Sequence, residues 1–233
     1  MSSDLGVVNA ARVSFSKKSD WIQDYTEVME RDEYGYGIYN APPIKVPKGE
    51  PYLSNEDTKL INYLAEHGHW LPFRHPHVSF HCKAPIFVAR QAGKHQVGMD
   101  WSEVSRRYVD TEPEFFVPDI WRDRAKDKKQ GSLETGTTED IIGSKDHNQW
   151  CLDYYQDLLD SDVAPEQARM VLPQSMYTEW VWTGSLLAWA HFIKLRTHEH
   201  AQKEIQDFAA MFVPTLEELY PVSWKALMKG YTP

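Results

Sequence analysis

The 233-residue chain has only two cysteines, Cys82 and Cys151, and they form no C-x-x-C pair. Neither a disulfide framework nor a thiolate zinc site can be built from them, which fits a reducing, cytoplasmic setting, or a host's cytoplasm for a viral protein. Long apolar runs are also missing: none approaches the roughly 18 residues that span a bilayer, and the start, MSSDLGVVNAARVSF, lacks a basic segment followed by an apolar one. No membrane partner and no export signal are expected. Basic charge is short as well. Lys and Arg number 25 against 34 Asp and Glu, a formal net charge of -9, so the chain has no electrostatic reason to grip a nucleic-acid polymer. Finally, there is no GxGxxG, GxxxxGK[ST] or GxSxG. Gly93 and Gly98 keep the P-loop gap, but Met99 stands where lysine must be, which argues against Rossmann and P-loop chemistry.

What is present is a folded composition, with 42% hydrophobic residues and nine Trp, long enough for one domain over residues 1–233. Leu60, Ile61, Leu64 and Ala65 follow a possible cap at Ser54 and precede Gly68, which predicts an amphipathic helix. His77 to Lys83 alternates Val78, Phe80 and Cys82 with polar residues and predicts a half-buried strand. Pro85 then opens a helix over Ile86 to Gln96. Further helices are expected around Trp150 to Leu159, from Pro165 to Pro173, over Trp182 to Leu195 and over Ala201 to Phe212. Residues 17–51 and 122–148 lack periodicity and read as long surface loops. Several helices with fewer strands make an α+β fold, a mixed or antiparallel sheet flanked by helices.

Against the acidic background, residues 87–108 concentrate Arg90, Lys94, His95, Arg106 and Arg107 around Gln91, Glu103 and Ser105. Such a nest of guanidinium and imidazole donors suits a phosphate-bearing small molecule. Histidines compete for attention, with His67, His69, His75, His77 and His81 in one short stretch. No acidic residue lies between Trp70 and Lys83, however, and Arg74 and Lys83 would oppose a cation, so the reading is no metal. His198-Glu199-His200 fails as a zincin helix because Gln202 occupies the required position. Cys82 and Cys151 fall on apolar sides of periodic segments, where a thiol is inert. Ser105 lacks a neighbouring base and reads as a hydrogen-bonding group rather than a nucleophile.

APIFVARQ (Ala84 to Gln91), Lys94-His95-Gln96 and EVSRRY (Glu103 to Tyr108) resemble the signature of flavin-dependent thymidylate synthases, an Arg-His-Arg followed by Glu-x-Ser-x-Arg-Tyr. AARVSF (Ala10 to Phe15), EHGHWLPFRH (Glu66 to His75), ARMVLP (Ala168 to Pro173) and LRTHEHAQKEI (Leu195 to Ile205) resemble that family's other blocks, in order. The resemblance implies reductive methylation of dUMP to dTMP, with methylenetetrahydrofolate as carbon donor, NADPH as reductant and FAD between them. It also implies a homotetramer with sites between subunits. By position it makes Arg196 catalytic, polarising the pyrimidine. Gln91, Glu103, Val104, Ser105, Arg106, Arg107, Arg169 and Arg196 become dUMP-binding, while Ser14, His69, Lys94, His95, Gln96, Glu103 and His191 become FAD-binding.

The chain departs from that pattern mainly on the flavin side. Arg-His-Arg is Lys94-His95-Gln96, the spacing from His95 to Tyr108 is one residue longer, and Leu71, Ser102, Ser185 and Leu187 replace other residues. These changes predict intact nucleotide recognition with a weaker FAD site. Separately, the N-terminus starts about where a first strand of that pattern would have ended, so a different edge pairing in the sheet is expected. Two other readings stand beside this one: a related flavin-dependent dUMP hydroxymethylase, and a histidine-rich metal-binding or interaction protein.

Overall fold

The computed structural model describes residues 3–28, 44–108, 111–126, 131–140 and 143–231. The chain opens with helix α1 (Asp4–Arg12) and a 3-10 turn (Val13–Phe15), then strands β1 (Ile22–Val28) and β2 (Ile44–Tyr52). Helix α2 (Asn55–Glu66), a 3-10 turn (Leu71–Arg74), strand β3 (His77–Pro85), helix α3 (Ile86–Ala92) and strand β4 (Met99–Glu103) follow. After β5 (Trp121–Arg124) and β6 (Ser132–Thr137) come α4 (Ser144–Asp160), α5 (Pro165–Ala168) and a 3-10 turn (Arg169–Val171). Strand β7 (Tyr177–Ser185), α6 (Leu186–Arg196), α7 (Lys203–Ala210), α8 (Val213–Leu219) and α9 (Pro221–Met228) complete the described chain. The sheets are antiparallel: β1 with β2, β5 with β6, and a three-stranded sheet in the order β3-β7-β4.

The centre of the fold follows from two segments whose pattern switches from strand to helix without a linker. In β3, Val78, Cys82 and Ala84 are buried while His77, Ser79, His81 and Lys83 face outward, the two-residue alternation of a half-buried strand. Strand β7 does likewise with Trp180 and Trp182 inward and Val181 outward. Helix α6 is apolar almost all round, because the sheet covers one side and other helices the rest. Trp182 meets Trp189 at 4.9 Å and Phe192 at 4.8 Å between ring centroids, both edge to face. Each such pair adds about 0.5–1.5 kcal/mol beyond simple burial. The buried Trp189 indole donates to the Val78 carbonyl at 3.2 Å, so its polar atom is satisfied inside the core.

Local signals explain several boundaries. Ser54 caps α2, its hydroxyl accepting from Asp57 N at 3.0 Å. Asp57 itself is buried: desolvation raises its pKa, but hydrogen bonds from Arg12, Ser19 and Ser54 outweigh this, and the net position is below the ordinary carboxylate value. Asp4 is buried too, and its carboxylate accepts from Val222 N and Ser223 N, both at 2.8 Å, which ties α1 to the start of α9.

Four expectations need correction. Residues 17–51 hold β1 and most of β2 rather than a continuous loop, their connection lying outside the described residues. Residues 122–148 hold most of the β5–β6 hairpin and the start of α4. Period-two alternation there is masked by exposure on both faces, so no apolar stripe marks the strands. Trp182 to Ser185 is strand, not helix; the contiguous apolar run concealed the change of period. The helix begun at Ile86 stops at Ala92, and Pro85 is its N-cap.

Candidate active site

The early end of α3 matters because it frees Lys94, His95 and Gln96 to form a turn before β4. Gly98 makes that turn possible with a φ of +71°, a left-handed conformation that side chains resist. Pairing of β4 with β7 then sets Glu103 opposite Trp180. Its carboxylate accepts from Thr178 Oγ1 at 2.6 Å and from Trp101 Nε1 at 3.1 Å, two bonds that hold it at the strand end.

Arg196 occupies the last turn of α6. Its Nη2 donates to the Gln91 carbonyl at 3.1 Å, satisfying a carbonyl in the last turn of α3, and its Nε donates to His95 Nε2 at 2.9 Å. Nε2 can accept only when unprotonated, so the neutral His95 ring carries its proton on Nδ1. Burial, and then the neighbouring Arg196 charge, push the His95 pKa down from 6.5 to about 4. Burial also lowers the Arg196 pKa, though a guanidinium stays charged at neutral pH. Nη1 makes no hydrogen bond to a described residue and remains available to a ligand.

Three adjoining clefts collect most of the expected site residues. Gln91 and Arg196 line one of about 810 Å³, with Phe87, Trp121, Arg122 and Gln202. Lys94, His95, Gln96 and Glu103 line a second of about 440 Å³, beside Arg90 and Trp101. Glu103, Val104, Ser105, Arg106 and Arg169 line a third of about 500 Å³. Glu103 belongs to the second and third clefts, and the Arg196–His95 bond joins the first to the second. Arg107 meets the same region through Glu166: its Nε lies 3.4 Å from the Glu166 carboxylate, while Arg169 Nε donates to the Glu166 carbonyl at 3.2 Å. Ser105 organises the turn, its hydroxyl accepting from Arg107 N at 3.3 Å and its carbonyl from Tyr108 N at 3.0 Å. Arg106 is held by the Thr111 carbonyl.

Three expected residues stand elsewhere in the chain fold. Ser14 is exposed in the 3-10 turn after α1. His69 stacks on Tyr63 with centroids 5.9 Å apart, and His191 meets Trp70 edge to face at 6.5 Å. Burial, Lys194 and Arg74 all lower the His191 pKa. The histidine-rich stretch does not converge: His77 Nδ1 lies 2.9 Å from the His75 carbonyl, and His81 faces Glu179 at 3.3 Å. Among the described residues no three His, Cys, Asp or Glu are placed to hold a metal. The buried Cys82 thiol is pushed up to about 12 by desolvation, far from a nucleophile's range.

Arg122, Thr178, Glu166, Gln202 and Glu204 were not singled out from sequence. Arg122 and Glu204 form an ion pair beside the first cleft, and Gln91 Nε2 donates to Gln202 Oε1 at 2.6 Å. Glu204 is half-buried; desolvation raises its pKa, yet Arg122, its own backbone N–H and Gln202 together bring it below the usual value. Only the position of Gln202 and Glu204 at a helix start was a usable signal.

A family model described as thymidylate synthase complementing protein matches residues 1–222. The chain is 38% identical over 213 residues to a flavin-dependent thymidylate synthase of Thermosipho africanus, covering 88% of this chain and 86% of that protein. Crystal structures of a UMP/dUMP methylase from Streptomyces cacaoi superimpose with a TM-score of 0.73 and 30% identity. The one bound with 5-Br UMP covers 96% of this chain and 88% of that one, and the one with 5-Br dUMP covers 97% and 90%.

Proposed function

Because the chain belongs to the thymidylate synthase complementing protein family, we propose that it methylates dUMP to dTMP. Methylenetetrahydrofolate supplies the carbon, NADPH the electrons, and FAD is the bound flavin. The observation that carries this reading is Arg196, held on two sides by His95 and Gln91 where the first two clefts meet. A guanidinium fixed there with Nη1 to spare directs positive charge at a pyrimidine carbonyl, draws electrons from the ring and supports reaction at C5.

The nucleotide phosphate belongs at Arg107 and Arg169, whose present partners are the Glu166 carboxylate and the Glu166 backbone carbonyl. Gln91, Glu103, Val104, Ser105 and Arg106 line the path between base and phosphate. The second cleft suits a flavin: Arg90 and Lys94 supply cationic groups, His95 offers a neutral Nδ1–H, and Trp101 offers an aromatic surface. When bound, the flavin carries hydride between NADPH and the transferred carbon. Lys94 and Gln96 are exposed at this cleft, and together they give less bidentate anion binding than a pair of arginines. FAD is therefore held weakly, and purification with stoichiometric flavin would refute that point.

A homotetramer completes the reading. Ser14, His69 and His191 lie away from the clefts; Ser14 stands between the exposed Val13 (74%) and Phe15 (76%), and His191 meets the exposed Trp70 (42%), next to Leu71 (65%) in the chain. That combination suits a surface that meets another subunit and lends it residues. Incubation with dUMP, methylenetetrahydrofolate, FAD and NADPH should yield dTMP, identified by mass, and Arg196→Ala should abolish turnover. A product heavier by one oxygen would favour hydroxymethylation instead; no product would refute the assignment.

A further inference from the structure

Trp101 is held by Trp180, Trp182 and Glu103, and the side they leave uncovered belongs to the second cleft. Strand β4 sets Met99, Trp101 and Glu103 on one face, opposite Gly184, Trp182 and Trp180 of β7. The Trp101 ring stacks on Trp180 with centroids 4.2 Å apart and planes 16° from parallel, and it meets Trp182 at 5.5 Å and 68°. Trp180 and Trp182 are themselves 6.4 Å apart, so Trp182 lies nearly at right angles to the stacking direction, against the edge of Trp101 and not on its second face. The indole Nε1 donates to Glu103 Oε2 at 3.1 Å, and Thr178 Oγ1 holds the other oxygen of that carboxylate at 2.6 Å. Trp180 stands across from Glu103, so the stack tilts Trp101 toward that end of the strand and turns its second face toward Met99 and the turn at Lys94 to Gln96. That face carries no ring contact among the described residues. The side chain is partly buried and lines the cleft of about 440 Å³ with Arg90, Lys94 and His95.

We infer that Trp101 is a flavin-binding residue whose second face stacks on a planar ring of FAD. The inference rests on the reading that FAD occupies this cleft. A dinucleotide needs cations for its diphosphate and a flat apolar surface for its rings. The cleft supplies both, Arg90 and Lys94 from α3 and the turn after it, and Trp101 from β4. Because Trp180, Trp182 and Glu103 already fix the indole, little side-chain freedom is left to lose when a ligand arrives. With Lys94 and Gln96 at the turn instead of two arginines, ring contact contributes a larger share of the affinity. FAD offers two planar rings, isoalloxazine and adenine, and they differ in what an indole does to their emission. Excited isoalloxazine takes an electron from a stacked indole and returns it without emitting light, whereas a phenyl ring is too poor a donor to do so.

Equilibrium dialysis of FAD against the full-length protein, with the emission of the bound flavin at saturation, reads this contact. Trp101→Leu removes the aromatic face and should weaken FAD binding about tenfold. Trp101→Phe keeps a face but loses the donor to Glu103, and should bind FAD within about threefold of the parent. The two variants thus separate ring contact from the positioning of Glu103. A several-fold rise in flavin emission in both identifies isoalloxazine as the stacked ring; the same affinities with unchanged emission identify adenine. Circular dichroism establishes that each variant is folded. Should Trp101→Leu not fold, Trp101→Met, which fills the space with a flexible apolar chain, serves in its place. FAD affinity in the folded Leu or Met variant within about twofold of the parent's overturns the inference. So do equal losses in that variant and in Trp101→Phe with unchanged emission, since Trp101 then acts only through Glu103. Failure of the parent to bind FAD at all overturns the assigned cofactor instead, before any variant is compared.

Discussion

Arg196 Nε donates to His95 Nε2 across 2.9 Å, joining the last turn of α6 to the turn that follows α3. One bond thereby sets the guanidinium, the tautomer of the imidazole and the junction between two clefts. A second from Nη2 to the Gln91 carbonyl leaves the arginine little rotational freedom, so its charge is oriented before substrate arrives.

Lysine cannot reproduce that fork. Arg196→Lys keeps a positive charge but loses at least one of the two anchoring bonds, and with it the aim of the charge. Steady-state kinetics should show kcat lower by about 10²–10³-fold, with KM for dUMP changed much less. A kcat within about threefold of the parent would show that charge alone suffices.

The His95 ring should stay neutral across the physiological range. Its pKa is depressed from 6.5 to about 4, so the unfolded chain takes up this proton first as pH falls. The contribution to stability is complete above about pH 6.5, declines below it, and is fully lost below about pH 4. Nitrogen-15 spectra should report the Nδ1–H tautomer at pH 7. Urea unfolding of His95→Gln should show less loss of stability between pH 7 and pH 5 than the parent does.

Glu166 competes for the seat assigned to phosphate. Its carboxylate lies 3.4 Å from Arg107 Nε in a pair about half exposed on both sides, so the contact contributes little to stability, about 0–1 kcal/mol. Glu166→Ala should leave the melting temperature nearly unchanged while dUMP binds up to about fivefold tighter. Weaker binding in titration would instead make Glu166 part of the nucleotide site.

Asp4 is a structural counterpart to these polar groups. Its two oxygens serve Val222 N and Ser223 N at the start of α9, and they have no access to water as substitutes because Asp4 is only 1% exposed. Asp4→Ala should cost about 1–2 kcal/mol and lower the melting temperature by about 2–8 °C in a chain of this size. Activity at 25 °C should be retained. A thermal midpoint equal to the parent's would mean that α9 finds other caps.

Legibility followed the strength of the periodic signal. Helix α2 was readable because a capping serine, an apolar stripe and a stopping glycine agree. Strand β3 was readable because one face is buried and the other wet. The β1–β2 and β5–β6 hairpins were not, since strands exposed on both faces carry no alternation. Trp182 was misplaced in a helix because a buried strand leading into a buried helix presents one uninterrupted apolar run. At the site, the basic residues of 87–108 stood out against an acidic chain, whereas Glu166, Gln202 and Glu204 were not singled out until their partners were in place.

The amino-acid order by itself determined the chemical inventory: scarce thiols, no phosphate-loop glycines, and arginines, histidines and a glutamine in ordered blocks. It also determined the local elements whose burial pattern is one-sided. Only the tertiary structure decided which of those groups work together, because Gln91 with Gln202, and His95 with Arg196, lie more than 100 residues apart in sequence. Hydrogen-bond direction is a property of such pairs. No local pattern along a chain specifies which way a distant amide will turn, whereas a carboxylate fixed beside it does.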